Sequence, residues 1–333
     1  MSHPGPTASE VPAVEADDLV KLFGTQRAVD GVSLRVPQGS VYGVLGPNGA
    51  GKTTTIRMLA TLLRPDSGSA RIFGHDVVRE PNAVRSLVGV TGQYASVDED
   101  LTATENLVIF SRLLGLSRSG AKRKANELLE EFSLTEAASK PLKNFSGGMR
   151  RRLDLAASLI AAPPLLFLDE PTTGLDPRTR AQMWGTIRRL VREGSTVLLT
   201  TQYLDEADQL ADRVAVIDRG QVIADGTTDE LKASVGVSTL QLTLVDRGLL
   251  ENARVIVSDY VGTDAAISPE PGRVTVPLPD TSLTPEILIR LRDNAIAVDE
   301  ITVTKPSLDE VFLTITGHPA DAGTDTDTER NAA

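Results

Sequence analysis

The sequence contains no cysteine among its 333 residues, which excludes disulfide bonds, thiolate metal ligands and a cysteine nucleophile. This absence fits a reducing compartment. Aromatic residues are also few, at 4%, whereas apolar residues make up 41% and suffice for buried cores. At roughly 150 residues per domain, the length predicts two domains.

Long apolar runs are missing as well. A helix that spans a bilayer needs about 20 apolar residues, and the best candidate, 155–168, is shorter and is broken by Pro163 and Pro164. The N-terminus has neither the basic nor the apolar region of a secretory signal. We therefore expect a soluble chain that contacts a membrane only through a partner.

Basic charge is scarce, and the net charge is −11. Residues 1–18 hold four acidic residues and no basic one, and residues 318–333 hold four acidic residues and one arginine, so the body between them carries only −4. An acidic body without a basic face argues against nucleic acid as a partner. The composition of the two ends predicts disordered tails at 1–12 and 318–333.

Apolar strand patterns alternate with helical patterns through most of the chain. This alternation predicts an α/β domain with a mostly parallel sheet over residues 13–234. Between about 94 and 162 the alternation stops, which indicates an inserted helical subdomain. The strands are expected at 32–36, 41–45, 86–92, 164–169 and 195–200, and the helices at 52–63, 104–115, 119–132, 147–161, 178–193 and 203–211.

The pattern changes after about residue 235. A strictly alternating strand is followed by an amphipathic segment, two strand candidates, a helix and a further strand. This order is typical of a split β-α-β module. A last helix is expected to begin after a Ser307 cap and to end at Gly317. Residues 235–317 are therefore predicted to form a small α+β accessory domain.

A glycine-rich loop follows the strand at 41–45 and opens a helix, in the pattern G-x-x-x-x-G-K-[ST] of a P-loop. Such a loop turns its N–H groups toward phosphate oxygens, and the helix N-terminus adds partial positive charge. Lys52 is expected to reach the β- and γ-phosphates of ATP, and Thr53 to ligate Mg²⁺. The flanking strand and helix argue against a chance match. The loop consists of Gly46, Pro47, Asn48, Gly49, Ala50, Gly51, Lys52, Thr53 and Thr54.

Two acidic residues end the strand at 164–169. Asp169 is expected to hold Mg²⁺ through water, and Glu170 to polarise or deprotonate the attacking water. An ordinary acidic turn at a strand end is the alternative. The P-loop in the same predicted domain favours the catalytic interpretation.

A second candidate anion site lies in FSGGM at 145–149, where a Ser146 cap precedes Gly147 and Gly148. Taken by itself, this pattern fits a plain capped helix. Ser146 lies 94 residues after Lys52 and 23 before Asp169, and this order resembles the ATP-binding cassette (ABC) family with its LSGGQ signature. The resemblance implies a homodimer of cassettes, in which the P-loop of one chain and the signature of the other enclose one ATP.

Further residues match the motifs of that family. Phe23 stands where the family stacks an aromatic ring on adenine, although a core phenylalanine is the alternative. Gln93 matches the glutamine that contacts Mg²⁺ and the attacking water, with a polar loop residue as the alternative. Asp176 in TTGLDP matches the loop that crosses the dimer interface. The arginines at 150–152 are expected to form a solvated helix face, with pairing to nearby acids as the alternative.

Two departures from the family pattern point to one branch of it. Gln202 replaces the usual catalytic histidine, and FSGGM replaces LSGGQ; together with PSLDEVFLTITG at 306–317 they resemble the daunorubicin/doxorubicin-resistance ATP-binding subunits. The resemblance implies a separate integral-membrane permease, an amphipathic drug or a lipid/polyketide as cargo, and a C-terminal extension that helps assembly or regulation.

We therefore expect an ATPase subunit of an exporter, peripheral to the cytoplasmic face of the cell membrane. The main alternative is a soluble ABC ATPase that acts on nucleic acid or ribosomes. Such proteins typically carry two cassettes, coiled-coil inserts or zinc cysteines, which this sequence lacks. An import cassette and a P-loop kinase are further alternatives, but a kinase gives no reason for the SGG and LDP motifs.

Gln202 leads to the first testable prediction. Its amide can still donate a hydrogen bond to the γ-phosphate but cannot become cationic, so hydrolysis should persist at a reduced rate with little pH dependence from this position. We expect Gln202→His to hydrolyse ATP faster than the wild type and Gln202→Ala to hydrolyse it more slowly. Steady-state ATPase rates across pH measure both effects. Wild-type turnover in Gln202→Ala would exclude this contact.

Overall fold

A computed structural model describes residues 11–91, 97–268 and 272–316. The predicted tails at 1–12 and 318–333 therefore lie almost entirely outside the described residues. The chain divides into two compact units with the boundary between Thr228 and Asp229, whereas the sequence placed the boundary after residue 234.

The first unit combines strands and helices as the alternating pattern predicts. Its strands are β1 Val14–Phe23, β2 Gln26–Val36, β3 Val41–Leu45, β4 Ser67–Ile72, β5 His75–Asp76, β6 Val88–Thr91, β7 Leu165–Asp169, β8 Thr196–Thr201, β9 Arg213–Asp218 and β10 Gln221–Gly226. Its helices are α1 Lys52–Leu59, α2 Pro81–Leu87, α3 Ala103–Leu113, α4 Arg118–Glu131, α5 Gly147–Ser158, α6 Pro177–Arg192 and α7 Leu204–Leu210.

The central sheet has the strand order β10-β9-β3-β8-β7-β6. All neighbours in it are parallel except β10, which pairs antiparallel with β9. Every residue of β3, β7 and β8 is buried, which explains their nearly continuous apolar sequences. Because β3, β8 and β7 are neighbours, the loops that follow them lie at one edge of the sheet.

A second, antiparallel sheet with the order β2-β1-β4-β5 was only partly expected from the sequence. The strands β1 and β4 were missed because charged and small polar residues interrupt them and half of their side chains are exposed. Their inward side chains share one core with α1 and the central sheet; Leu19, Ile56 and Phe167 are typical members.

Three helices in succession, α3, α4 and α5, connect β6 to β7, where the sequence predicted an inserted helical subdomain. The capping box of α3 joins Thr102 and Glu105, and Ser117 caps α4. Several helix and strand ends differ from the sequence predictions; α5, for example, ends at Ser158 rather than at residue 161. The helix α1 ends at Leu59 because Thr61 adopts a left-handed φ of 63°, and Leu87 belongs to α2 rather than to β6.

The second unit confirms the split β-α-β pattern. Its sheet has the order β12-β13-β11-β14 with every neighbouring pair antiparallel. The helices α9 and α10 contribute Val257 and Ile287 to a core that also contains Leu240 and Val276 from the sheet. The elements are α8 Thr228–Val235, β11 Ser238–Leu244, α9 Leu250–Val261, β12 Ala266–Ile267, β13 Arg273–Leu278, α10 Thr284–Asp293, β14 Val298–Thr304 and α11 Leu308–Thr316.

The length and composition of the helices determine whether any of them can insert into a membrane. Within residues 11–91, 97–268 and 272–316, none combines the length and the apolar content needed to cross a bilayer.

Candidate functional site

The glycine-rich loop connects β3 to α1. At two of its positions a side chain would collide with a backbone carbonyl, so these positions require glycine. A Cβ on Gly46 would lie 2.2 Å from the carbonyl oxygen of Ile217, and one on Gly51 would lie 2.4 Å from that of Ala28. Gly51 also has a φ of 107°, which side chains rarely tolerate. It caps α1 without any side-chain hydrogen bond, so no side chain competes with a phosphate for the N–H groups of the first helical turn.

Lys52, the charged residue of the loop, is buried, with 4% of its side chain exposed. Its Nζ donates hydrogen bonds to the carbonyl oxygens of Gly46 at 2.7 Å and Pro47 at 3.1 Å. The same Nζ lies 3.5 Å from Oε1 of Glu170. Burial lowers the pKa of the Lys52 ammonium group, and the carboxylates of Glu170 and Asp169 oppose this effect.

Asp169 lies at the end of β7, beside the loop. Its Oδ1 accepts hydrogen bonds from the hydroxyl of Thr53 at 3.1 Å and from that of Thr200 at 2.6 Å. Hard oxygen donors of this kind fit Mg²⁺. The sequence placed Thr53 and Asp169 at one metal site, and the structure brings these two side chains into contact.

Glu170 turns toward the same group of residues because its backbone leaves the strand conformation. Its φ is 50°, in the left-handed region, and its side chain is 5% exposed. An ordinary strand residue at this position would point to the face opposite Asp169. The left-handed turn instead brings Glu170 to Lys52, and Thr173 donates a hydrogen bond to its Oε2 at 3.2 Å.

The signature segment forms the start of α5. The hydroxyl of Ser146 accepts a hydrogen bond from the N–H of Met149 at 3.3 Å, as expected for an N-cap. Ser146 and Gly147 are exposed, and a Cβ on Gly147 would meet nothing within 4 Å. Gly148 is confined, because a Cβ there would lie 2.5 Å from Cγ2 of Thr179.

The expectation of a solvated arginine face on α5 is wrong, because each of the three arginines has a specific partner. Arg150 pairs with Glu99 at 2.6 Å. The Nη2 atom of Arg151 donates a hydrogen bond to the carbonyl oxygen of Glu170 at 2.6 Å and lies 3.4 Å from that of Asp169. Arg152 bonds the carbonyl oxygen of Phe132 at 3.1 Å.

The remaining predicted residues lie in different environments. Phe23 ends β1 with 53% of its surface exposed, so the alternative of a core phenylalanine is wrong. Gln202 follows β8 and is half-buried. Asp176 caps α6 by accepting hydrogen bonds from the N–H and hydroxyl of Thr179, which hold its pKa below the usual range. Gln93 lies outside the described residues.

The other loop residues lie between β3 and Lys52 or just after it. Asn48 and Gly49 are exposed, and Thr54 is half-buried in the first turn of α1. Ala50 is buried, and its N–H bonds the carbonyl oxygen of Pro47 at 3.2 Å.

Two residues of the site could not be found from sequence motifs. Thr200 in β8 donates to Asp169, and the N–H of Glu170 bonds the carbonyl oxygen of Thr200 at 3.1 Å. Glu206 in α7 is completely buried, and its Oε1 accepts hydrogen bonds from Thr172 at 2.8 Å and from Trp184 at 3.2 Å. It therefore ties the segment that follows Glu170 to α6 and α7. Each of these contacts joins residues more than 20 positions apart, so no local pattern indicates it.

Comparison with known families matches both parts of the chain. The model described as ABC transporter matches residues 29–173. The model described as ATP-binding protein DrrA1-3-like, C-terminal domain, matches residues 226–316.

Individual proteins agree with these family matches. The daunorubicin/doxorubicin resistance ATP-binding protein DrrA of Streptomyces peucetius is 56% identical, over 93% of this chain and 94% of its own length. The Nod factor export ATP-binding protein I of Ralstonia nicotianae is 44% identical, over 68% and 71%. An ATP-binding cassette of an ABC transporter, solved in its ADP conformation, has a TM-score of 0.59 and 26% identity, over 66% of this chain and 92% of that one.

Glu206 provides a test of the electrostatics near the site. Burial raises the pKa of its carboxyl above the ordinary 4.5. A raised pKa favours the protonated form in the folded protein, so Glu206 stabilises the fold most below pH 4.5 and loses this contribution as the pH rises through the raised pKa. Glutamine does not ionise. We therefore expect the free energy of unfolding of Glu206→Gln to improve relative to wild type as the pH rises.

Urea unfolding of the wild type and of Glu206→Gln at a series of pH values measures this difference. A difference that stays constant from about pH 5 to about pH 9 would contradict the raised pKa.

Proposed function

Because the chain belongs to the ATP-binding subunits of ABC transporters, in the daunorubicin/doxorubicin-resistance family, we propose that its ATPase activity drives export of an amphipathic drug, antibiotic or lipid/polyketide through a separate membrane permease. The names of the relatives, drug resistance in one and Nod factor export in the other, support an export role. The subunit would then lie at the cytoplasmic face of the cell membrane, held there by the permease.

One observation carries the catalytic part of this proposal. Lys52, Thr53, Asp169 and Glu170, which come from two distant parts of the sequence, meet in one group of mostly buried side chains beside the glycine loop. A cation, a hydroxyl and two carboxylates beside uncapped helix N–H groups are the parts that phosphoryl transfer requires.

Each side chain has a separate task in hydrolysis. When ATP enters, Lys52 exchanges Glu170 for the β- and γ-phosphate oxygens, because a phosphate carries more negative charge than one carboxylate. Mg²⁺, when bound, would neutralise phosphate charge, and the oxygens of Thr53 and Asp169, which lie 3.1 Å apart, would hold it. Gln93 is the third candidate ligand, assigned from the sequence alone.

Once Lys52 has turned to the phosphates, the carboxylate of Glu170 accepts a proton from the attacking water. Its backbone is held by the pairing with Thr200, so the carboxylate stays close to the phosphate loop while its partner changes. Gln202 follows the same strand as Thr200, and we assign its amide to the γ-phosphate.

The start of α5 supports a two-chain arrangement. Ser146 and Gly147 are exposed, whereas Lys52 is buried beside its own carboxylates. An exposed, glycine-rich helix N-terminus suits the phosphates of a nucleotide presented by a second chain. We propose that two copies pair head to tail, with Asp176 near the interface and Phe23 stacked on adenine. ATP then stabilises the closed pair because it contacts both chains.

Removal of the catalytic carboxylate tests the proposed function. Glu170→Gln keeps the shape of the side chain but cannot accept a proton, so hydrolysis should fall by about 10²- to 10⁴-fold while ATP still binds. The bound ATP should trap a dimer, which light scattering during size-exclusion chromatography detects.

The matched control is the double variant Lys52→Ala/Glu170→Gln, which should stay monomeric because it cannot hold the phosphates. Wild-type turnover in Glu170→Gln, or a monomer at saturating ATP, would contradict the proposal.

A further inference from the structure

We propose that Arg151 is a positioning residue for hydrolysis, which fixes the backbone of Glu170 and links it to the signature helix of the same chain. The inference rests on the proposed function, since it takes Glu170 as the group that activates water. It assigns a task to a side chain outside the P-loop, the carboxylate pair and the SGG segment.

The contact of Arg151 is directed at the backbone of the catalytic segment. Its Nη2 lies 2.6 Å from the carbonyl oxygen of Glu170 and 3.4 Å from that of Asp169. A hydrogen bond from a charged donor is stronger than one between neutral groups. The planar guanidinium also fixes the direction of the carbonyl that it contacts, which a flexible ammonium group does less well.

The backbone of Glu170 needs such support. Its φ of 50° lies in the left-handed region, which is unfavourable for a residue with a side chain. On one side, its N–H bonds the carbonyl oxygen of Thr200 at 3.1 Å. On the other side, its carbonyl accepts from Arg151. With both peptide groups held, the carboxylate is directed at Lys52 rather than along the opposite face of the sheet.

The same arginine stands on the helix that begins with the signature. Arg151 lies four residues after Gly147, about 6 Å along α5. Gly148, between them, packs against Thr179 so closely that a Cβ would lie 2.5 Å from Cγ2. Two contacts therefore join α5 to the segment that follows β7, one at Gly148 and one at Arg151.

A cavity of about 640 Å³ is bordered by Gly147, Arg151 and Glu170 together. The signature end of α5 and the catalytic carboxylate therefore border the same space. In this proposal a phosphate that contacts Ser146 and Gly147 acts on α5, and Arg151 passes the effect to the carbonyl of Glu170. Arg151 thereby couples the nucleotide held by one chain to the carboxylate that serves the other nucleotide.

The three neighbouring arginines of α5 provide a matched comparison. Arg150 pairs with Glu99, and the exposed fractions of these side chains are 32% and 65%. Arg150 also borders the cavity, but its contacts are with Glu99 and the carbonyl oxygen of Lys143 rather than with Asp169 or Glu170. It has the same charge as Arg151 and lies on the same helix. Substitution of Arg150 therefore controls for loss of one positive charge from α5.

The test compares Arg151→Ala, Arg151→Gln and Arg151→Lys with the wild type and with Arg150→Ala, all as full-length chains. We expect kcat for ATP to fall roughly 10- to 100-fold in Arg151→Ala, as for the loss of one charge-assisted hydrogen bond. The Kd of a fluorescent ATP analogue should change by less than about twofold. Arg151→Lys should recover part of kcat, and Arg150→Ala should match the wild type.

Three results would overturn the inference. The first is a kcat in Arg151→Ala within about twofold of the wild type. The second is a parallel rise in Kd, which would show that Arg151 acts on ATP binding. The third is loss of folded protein in all three variants by circular dichroism, which would make Arg151 a structural residue. A wild type that hydrolyses no ATP would instead contradict the proposed function.

Discussion

The parallel pairing of β7 with β8, and of β8 with β3, is the constraint on which the site depends. Its register sets Asp169 opposite Thr200, and Leu45 opposite Thr201. The phosphate loop, the carboxylates and the segment of Gln202 therefore begin at one edge of the sheet. The left-handed turn at Glu170 then directs a side chain into this edge that regular strand geometry would point away from it.

The contacts of the Lys52 ammonium group indicate which contact the phosphates of ATP would replace. The ammonium group is held by two loop carbonyls and lies 3.5 Å from Glu170. In the proposed mechanism, Lys52 stays beside Glu170 until a phosphate takes the place of this carboxylate. This proposed exchange would link binding to catalysis, because one event completes the phosphate contacts and separates Glu170 from Lys52.

Local sequence predicted the parts of this protein that depend on local chemistry. The glycines of the loop, the Ser146 cap and the alternating pattern of β11 each produce their structure through residues close in sequence. By contrast, β1 and β4 were missed because their antiparallel sheet leaves many polar side chains exposed. Contacts such as Arg151 with Glu170 and Glu206 with Thr172 were missed because only the fold brings these residues together.

The most direct measurement asks whether each ATP is shared between two chains. Lys52→Ala removes the phosphate cation, and Ser146→Arg blocks the signature, so each variant alone should be inactive. Mixed in equal amounts, the two should form heterodimers that contain one intact site, built from Lys52 of one chain and Ser146 of the other. We predict ATP hydrolysis well above that of either variant alone. Hydrolysis no higher in the mixture than in the separate variants would show that both residues must reside in one chain.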